Sequence, residues 1–346
     1  MLNISLIIPT YKRSRDLLRA LNSLQDGRFA DFEVIVVDNA AQNDLQKMVK
    51  AFNRTARIRA EYIPEPRLGL HNARHAGAHA AKGDILVFTD DDATFDPGWL
   101  QSYAKAFTEY PEMAAAGGPV RPIWEVPPPK WLLDFIGEAK AFGHLSLMEP
   151  YYEFRLEPKG VFYGVNMAIR RDILFDVGGF NPESFGDVWL GDGETGLNRK
   201  LWDRGMLIGY VPGALVYHHI PASRMSVQYL CHRMANEGAC TEYARFHRRI
   251  PGPFGLFSRL VRIKFALMIR PGMMSLARMI RHDRFTALKA RTELSYNLAR
   301  LRYLIRLFHD KNFRELVVKK DWLEPLEGVY PNEGKSVRRF MNTKIE

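Results

Sequence analysis

Cysteine is nearly absent: Cys231 and Cys240 are the two in 346 residues. Two thiols cannot build the disulfide framework of a small secreted domain, and with no second pair a cysteine zinc site is not expected. Reduced cytosolic thiols are the simplest account. Long apolar runs are missing as well, since no uncharged stretch reaches the roughly 18 residues that a membrane-spanning helix needs. The first residues lead straight into a strand-like run, Asn3 to Ile8, without a basic leader or cleavage site, so no secretory signal is expected. No internal repeat or low-complexity tract occurs. No glycine-rich loop follows the first strand, where Pro9-Thr10-Tyr11-Lys12-Arg13 stands instead. A nucleotidyl or phosphoryl enzyme would want such a loop. What is present, 47% hydrophobic and 12% aromatic residues, describes a globular chain long enough for two domains.

Charge is unevenly spread. Arg245 to Lys320 carries 19 Lys and Arg against 4 Asp and Glu, a local net of +15, while the remainder has 30 basic and 35 acidic residues, a net of −5. A mildly acidic body with a basic C-terminal part is the division this suggests, with Pro251-Gly252-Pro253 as punctuation beside it.

The first part alternates strand and helix. Ile4–Ile8, Phe32–Val37, Ile58–Ile63 and Ile85–Thr89 read as strands; Ser14–Gln25, Asp44–Phe52, Leu70–Ala81 and Pro97–Tyr110 read as helices. That order predicts an α/β fold with a mostly parallel, helix-covered sheet. At the end of the Ile85–Thr89 run stand three consecutive carboxylates, Asp90, Asp91 and Asp92. Open α/β sheets bind ligands at the carboxyl ends of their strands. Three acids there repel one another unless a cation balances them, and hard oxygen ligands suit Mg²⁺ or Mn²⁺ bridging substrate phosphates. Pro9, Thr10 and Tyr11 end the first strand, and Asp38 ends the second. Asp38 can hydrogen-bond a base edge or ribose hydroxyl, Tyr11 can stack on a base, and Arg13, Arg67 and Arg74 can pair with phosphate oxygens.

The segments Ile7 to Tyr11, Val36 to Asn39, Gly69 to Gly77 and Phe88 to Asp92 together resemble the nucleotide-sugar half of a family 2 glycosyltransferase with the GT-A fold. The likeness continues through Gly164 to Arg170, Gly178-Gly179-Phe180 and Gly191-Asp192-Gly193-Glu194, and covers about residues 3 to 245. It implies a Leloir-type transferase using a nucleotide-diphosphate sugar, a divalent metal and inversion at the transferred carbon. By place, Asp92 is the candidate direct metal ligand, Asp90 orients ribose or a metal-bound water, and Asp91 turns toward the sugar. The acceptor hydroxyl needs a general base. Glu194, at the start of a helix carrying Leu197 and Leu201, is the candidate, with Asp192 as fallback. The family more often has Glu-Asp here, followed two residues later by another acid; this chain has Gly193-Glu194, and Gly196 at the later position.

His218 ends an alternating stretch through Pro212, Ala214 and Val216 and is a second candidate metal ligand, with His219 facing the other way. Asn166 and Trp189 are assigned to the acceptor side. His71, Asn72 and Arg74 share one helix near the donor crevice. Residues 119–162, with Pro127-Pro128-Pro129, Trp124 and Trp131, break the alternation and predict an extended, partly mobile insertion shaping the acceptor groove.

In the basic part, Leu256, Leu260, Ile263 and Leu267 form one helical stripe, and Leu294, Leu298, Leu301, Ile305 and Phe308 a second. With arginines beside them, these stripes suit either an anionic membrane surface or packing on the catalytic body. The resulting expectation is a GT-A domain over 1–246 (nucleotide-sugar half 1–118, acceptor half 119–246) and a basic helical region over 247–346. The expected reaction is transfer from a UDP-sugar by preference to a lipid-linked or polysaccharide acceptor, at the cytoplasmic face of the inner membrane or in the cytoplasm, with no nucleic-acid partner. The competing expectations are a non-catalytic docking protein on a degenerate transferase fold and another metal-dependent nucleotidyl or phosphoryl enzyme.

Overall fold

The computed structural model describes residues 2–41, 43–137, 141–185, 188–189, 191–248, 251–252, 254–265 and 284–323. The alternation is present as β1 (Ile4–Thr10), α1 (Ser14–Ser23), β2 (Phe32–Asp38), α2 (Asn43–Thr55), β3 (Ala60–Pro64), α3 (Leu70–Ala80) and β4 (Ile85–Phe88). Next come β5 (Ala93–Phe95), α4 (Trp99–Glu109), β6 (Met113–Gly117), β7 (Val120–Trp124), α5 (Lys130–Ile136), β8 (Ala141–Phe142), β9 (Leu147–Met148) and β10 (Arg155–Glu157). The chain continues through β11 (Met167–Arg170), α6 (Arg171–Asp176), β12 (Ser184–Phe185), β13 (Val188–Trp189), α7 (Gly193–Asp203), β14 (Leu207–Tyr210) and β15 (Val216–Ile220). Helices α8 (Val227–Phe246), α9 (254–265), α10 (Arg284–His309) and α11 (Lys311–Val318) complete it.

Eight strands form the main sheet in the order β10-β14-β6-β11-β4-β1-β2-β3. β1 is parallel to both β2 and β4, and β11 enters antiparallel between β4 and β6. The chain therefore winds one way from β1 to β3 and then crosses back to place β4 on the other side of β1. That reversal opens a crevice at the strand ends, where Thr10, Asp38 and the Asp triple meet. β1 is buried along its whole length because helices cover both faces. Ile4, Leu6 and Ile8 pack with Leu17, Val49 and Phe107 on one side; Ile7 packs with Ala73, Ala78 and Leu201 on the other. Gly77 lets α3 lie tight against β1, since a Cβ there would fall 2.4 Å from Ile7 Cγ2.

A second sheet, β5-β15-β7-β9-β8, stands beside the crevice. It corrects the expectation for residues 119–162: this segment supplies β7, β8 and β9 to the second sheet and β10 to the edge of the main one, with α5 between. Leu132 and Leu145 bury with Ile220 and Leu230 beneath it. Its polyproline look misleads because short strands pairing with distant partners leave no long apolar run. Strand β5, directly after the triple, pairs Ala93 with His218 and so sets that histidine beside Asp92.

The C-terminal helices pack as one layer on α8. Leu256, Ile263, Leu304, Leu307, Phe313 and Val317 bury with Tyr243 and Phe246 of α8. Glu242 of α8, fully buried, accepts paired hydrogen bonds from Arg259 (2.7 Å each) and a third from Arg300 (2.7 Å). The composition boundary near 246 thus runs through a packed unit, held by two guanidiniums on one carboxylate. The stripe Leu256, Leu260, Ile263 faces inward; Leu267 lies outside the described residues. The stripe on α10 differs, with Leu294, Leu298, Ile305 and Phe308 exposed and Leu301 partly packed. Among the described residues no helix is long and apolar enough to cross a membrane.

Candidate active site

A cavity of about 430 Å³ lies between the strand ends, the start of α7 and one face of α8. Asp90, Arg74, His218 and Arg224 line one part of it; Glu183, Glu194, Tyr163 and Arg233 line another. A neighbouring cavity of about 490 Å³, with Arg13, Arg15, Arg19 and His219, reaches Asp92 from the other side, and Arg224 borders both.

The triple is held unequally. Thr10 Oγ1 donates to Asp91 Oδ2 (2.7 Å), and Arg13 Nη1 donates to both Asp91 (3.2 Å) and Asp92 (3.0 Å). Burial, helped by its two acidic neighbours, pushes Asp91 up to about 7 in spite of Thr10 and Arg13. Burial acts the same way on Asp92, but His218 in its charged form, Arg224 and Arg13 outweigh it and hold Asp92 well below the usual carboxylate range. Arg224 Nη2 sits 2.9 Å from Asp92 Oδ2. Asp90 keeps a partly exposed carboxylate 3.8 Å from Arg74.

Two residues at the strand ends are set by their own neighbours. Asp38, fully buried, accepts from Tyr62 Oη and from the backbone N–H of Ala40 (2.9 Å each). Tyr11 is exposed on the rim, with the Lys12 ammonium 5.1 Å from its ring centre. Arg67 turns to Glu65, donating from Nε and Nη2 at 2.8 and 2.6 Å, and does not line the cavity that Arg74 enters.

Arg74 is buried at the centre of three carboxylates: Glu194 (3.5 Å), Glu183 (3.6 Å) and Asp90. Glu183 and Glu194 share a hydrogen bond. Burial, then the charge of Glu194, drives Glu183 well above the carboxylate range, so Glu183 carries the proton. For Glu194 burial works upward too, but Arg74 and the Glu183 hydrogen bond prevail and bring it down to about 2. Asp192, at the N-terminal end of α7, is buried with both oxygens taken: Asn181 Nδ2 donates to one (2.8 Å) and Arg199 Nη1 to the other (2.7 Å).

Sequence and structure match over this frame: the family model for Glycosyl transferase family 2 fits residues 5–178. The chain belongs to that family. Among similar proteins, a glucosyl-dolichyl phosphate glucuronosyltransferase of Haloferax volcanii is 23% identical over 242 residues, 68% of this chain and 75% of that protein. A chondroitin synthase of Escherichia coli is 25% identical over 257 residues, 64% of this chain but 35% of that longer protein. A mannosyltransferase from Pyrobaculum calidifontis, solved with GDP-Man and Mn²⁺, superposes with a TM-score of 0.56 at 17% identity, covering 90% of this chain and 88% of that one. At that identity the likeness is one of fold, and the fold is GT-A.

His218, the candidate metal ligand of the transferase, is oriented by the second sheet. His218 Nδ1 lies 2.9 Å from the Leu145 carbonyl oxygen, which can only accept, so Nδ1 carries the proton and Nε2 a lone pair. Nε2 accepts from Arg224 Nη1 (2.9 Å) and lies 3.3 Å from Asp92 Oδ1, a buried oxygen with no hydrogen-bond donor, so Arg224 bridges His218 and Asp92. The Arg224 guanidinium supplies the positive charge that these two groups share, and a divalent metal would use the same lone pairs in its place. The fit to a divalent metal is therefore good. Among the described residues no cluster of three or more His, Cys, Asp or Glu could hold an ion, so a metal here would fill its shell with diphosphate oxygens and water.

Some sequence assignments move. Asn166 does not reach the acceptor side. It is wholly buried, its Nδ2 donating to Pro119 and Ala214 carbonyls (3.0 and 2.8 Å) and its Oδ1 accepting from Trp99 Nε1 (2.9 Å) and Tyr103 Oη (2.7 Å). All four of its hydrogen-bonding positions are thereby used on the scaffold. Trp189 falls on β13, and its side chain lies outside the described residues. His71 turns from the cavity toward His75 and Trp322, with ring centres 6.1 and 5.9 Å away; burial, then Arg67 and Arg74, lowers it to about 3.

Glu183, Arg224 and Arg233 escaped sequence reasoning. Arg224 arrives by the turn after β15, and Arg233 by its face of α8; neither position carries a local pattern. Glu183 left one trace. Where the family more often has an acid, this chain has Gly193 at φ +48°, and a Cβ there would come within 2.5 Å of Glu183 Cγ. The glycine makes room for a carboxyl delivered from another segment.

Proposed function

We propose that the chain is an inverting glycosyltransferase that moves a sugar from a nucleoside-diphosphate sugar, a UDP-sugar by preference, to a hydroxyl of a lipid-linked or polysaccharide acceptor. The observation that carries this reading is the single cavity bordered by donor-side groups (Asp90, Arg74, His218) and by a carboxylate, Glu194, kept ionised at neutral pH. Pro9, Thr10, Tyr11 and Asp38 form the base and ribose end of the crevice; Arg13, Asp90 and Asp91 face the phosphates and sugar. Asp92 and His218 would hold Mn²⁺ or Mg²⁺, which when bound supplies Lewis-acid neutralisation of the leaving diphosphate. Glu194 accepts the proton of the acceptor hydroxyl, and Arg74 together with the Glu183 hydrogen bond fixes its orientation. With the base on the face opposite the leaving group, one displacement inverts the anomeric carbon. Asp192 keeps a structural part at the start of α7. In this reading residues 1–246 carry catalysis and the basic helical region beyond seats the enzyme at an anionic membrane surface, on the cytoplasmic side.

The test is calorimetric titration of nucleotides and nucleotide-sugars in the presence of Mn²⁺, Mg²⁺ or EDTA. Metal-dependent binding of one nucleoside diphosphate and its sugar is the expected result. Absence of binding across the panel would overturn the reading and favour a degenerate crevice.

A further inference from the structure

Helix α9 is apolar on two separate sides. Leu256, Leu260 and Ile263 face the cluster shared with α8, α10 and α11. On the far side Phe254 (85% exposed), Phe257 (59%), Val261 (50%) and Phe265 (64%) stand in water. At about 100° per residue these four fall within a sector of roughly 80°, centred about 130° around the axis from the buried three. Arg262 and Lys264, both exposed, lie one on each flank of the outward stripe. Packing inside the protein accounts for the inner stripe and leaves the outer one unexplained. Three phenylalanines and Val261, at four successive turns, form a contiguous patch where soluble proteins place polar residues.

We propose that the outward face of α9 is the membrane-docking surface of this transferase, and that its occupant is an anionic lipid bilayer. This rests on the proposed membrane-associated reading and locates it on particular residues. Charge decides for lipid over a second copy of the chain. The stretch from Arg245 to Lys320 carries a net of +15, so two such faces would repel, whereas anionic headgroups attract. The phenylalanines enter the headgroup and upper acyl region, and Arg262 and Lys264 extend sideways to lipid phosphates with their aliphatic stems along the apolar boundary. Arg259 does not take part, because Glu242 holds it inside the protein. The face therefore separates its jobs: one arginine locks the helix to the body and two flanking cations meet the bilayer. The exposed α10 stripe of Leu294, Leu298, Ile305 and Phe308 is the second apolar surface of the same basic layer.

The full chain should cosediment with vesicles of phosphatidylcholine and phosphatidylglycerol, weakly with phosphatidylcholine alone, and less as salt rises. Phe254→Ser/Phe257→Ser/Phe265→Ser should weaken the partition on the order of a hundredfold. Arg262→Glu/Lys264→Glu should abolish the preference for anionic vesicles. Both variants change exposed side chains, so thermal melting and calorimetric donor binding should match the wild type. Vesicle binding equal in wild type and triple variant would overturn the assignment to α9. So would a concentration-dependent dimer, seen by sedimentation velocity without lipid and lost in the triple variant. If the wild type binds vesicles but no nucleotide, the transferase reading fails and the docking surface stands; nucleotide binding without vesicle binding is the reverse.

Discussion

Two carboxyl pairs lie at the crevice, and they solve like-charge repulsion differently. Asp91 and Asp92 are neighbours in sequence at the end of β4; Glu183 and Glu194 come from separate segments and meet over Gly193. In each pair one member is driven up and the other down. At the aspartates the difference comes from outside the pair: Arg13 touches both, but Arg224 and His218 converge on Asp92 alone and leave Asp91 to burial, Thr10 and its share of Arg13. At the glutamates a proton lies between the partners, and Arg74, with a smaller contribution from Arg233, serves both. The first arrangement receives positive charge; the second holds a proton in one place so that its partner stays ionised. Pairs pushed apart in this way mark acid–base assignments.

The comparison breaks first at Asp92. Asp92→Ala should remove metal-dependent nucleotide binding altogether, read as loss of the difference between Mn²⁺ and EDTA titrations, because His218 alone cannot hold the ion. Next, Glu194→Gln should leave donor binding intact while turnover falls by about 10²–10⁴; retained turnover would take the base role from Glu194. Smaller effects sharpen the glutamate pair. Glu183→Gln keeps a hydrogen-bond donor toward Glu194 and should hold turnover within about tenfold, while Glu183→Ala, lacking the donor, should fall further; equal rates would show that the hydrogen bond is idle. The smallest effect is in stability against pH. The folded pKa of Glu183 is raised above its unfolded value, so between the two the folded state binds one more proton. Its stabilisation is full below about pH 4 and declines as pH rises through the raised folded pKa, with a slope near 1.4 kcal/mol per pH unit. Denaturant unfolding over a pH series should show a shallower decline in Glu183→Gln.

Much of the donor half was legible. Unbroken apolar runs and helical spacing located β1, β2, β4, α1 and α3 within a few residues, because each buries a face of its own and local pattern tracks burial. The carboxylates at the strand ends were legible for the same reason: a parallel strand must end in polar residues on the ligand-binding edge. The acceptor side was less so. The two-residue strands β8 and β9 are too short for any period to register, and β6, with three consecutive alanines, has little strand propensity and is held by β11 and β14. Asn166 looked available because a sequence gives its polarity but not the four partners that consume it.

By itself the sequence determined the parallel α/β frame, the acids and the arginine-rich C-terminal part, since those follow from residue type and short-range spacing. Tertiary structure alone decided which acid each cation serves. It brought Arg224 to Asp92, Glu183 over Gly193, and the inner stripe of α9 against α8 with three phenylalanines left outside. The first joins residues 132 apart in the chain, the second residues ten apart and the third consecutive helices, and the energies of all three depend on distance and burial, neither of which a one-dimensional pattern contains.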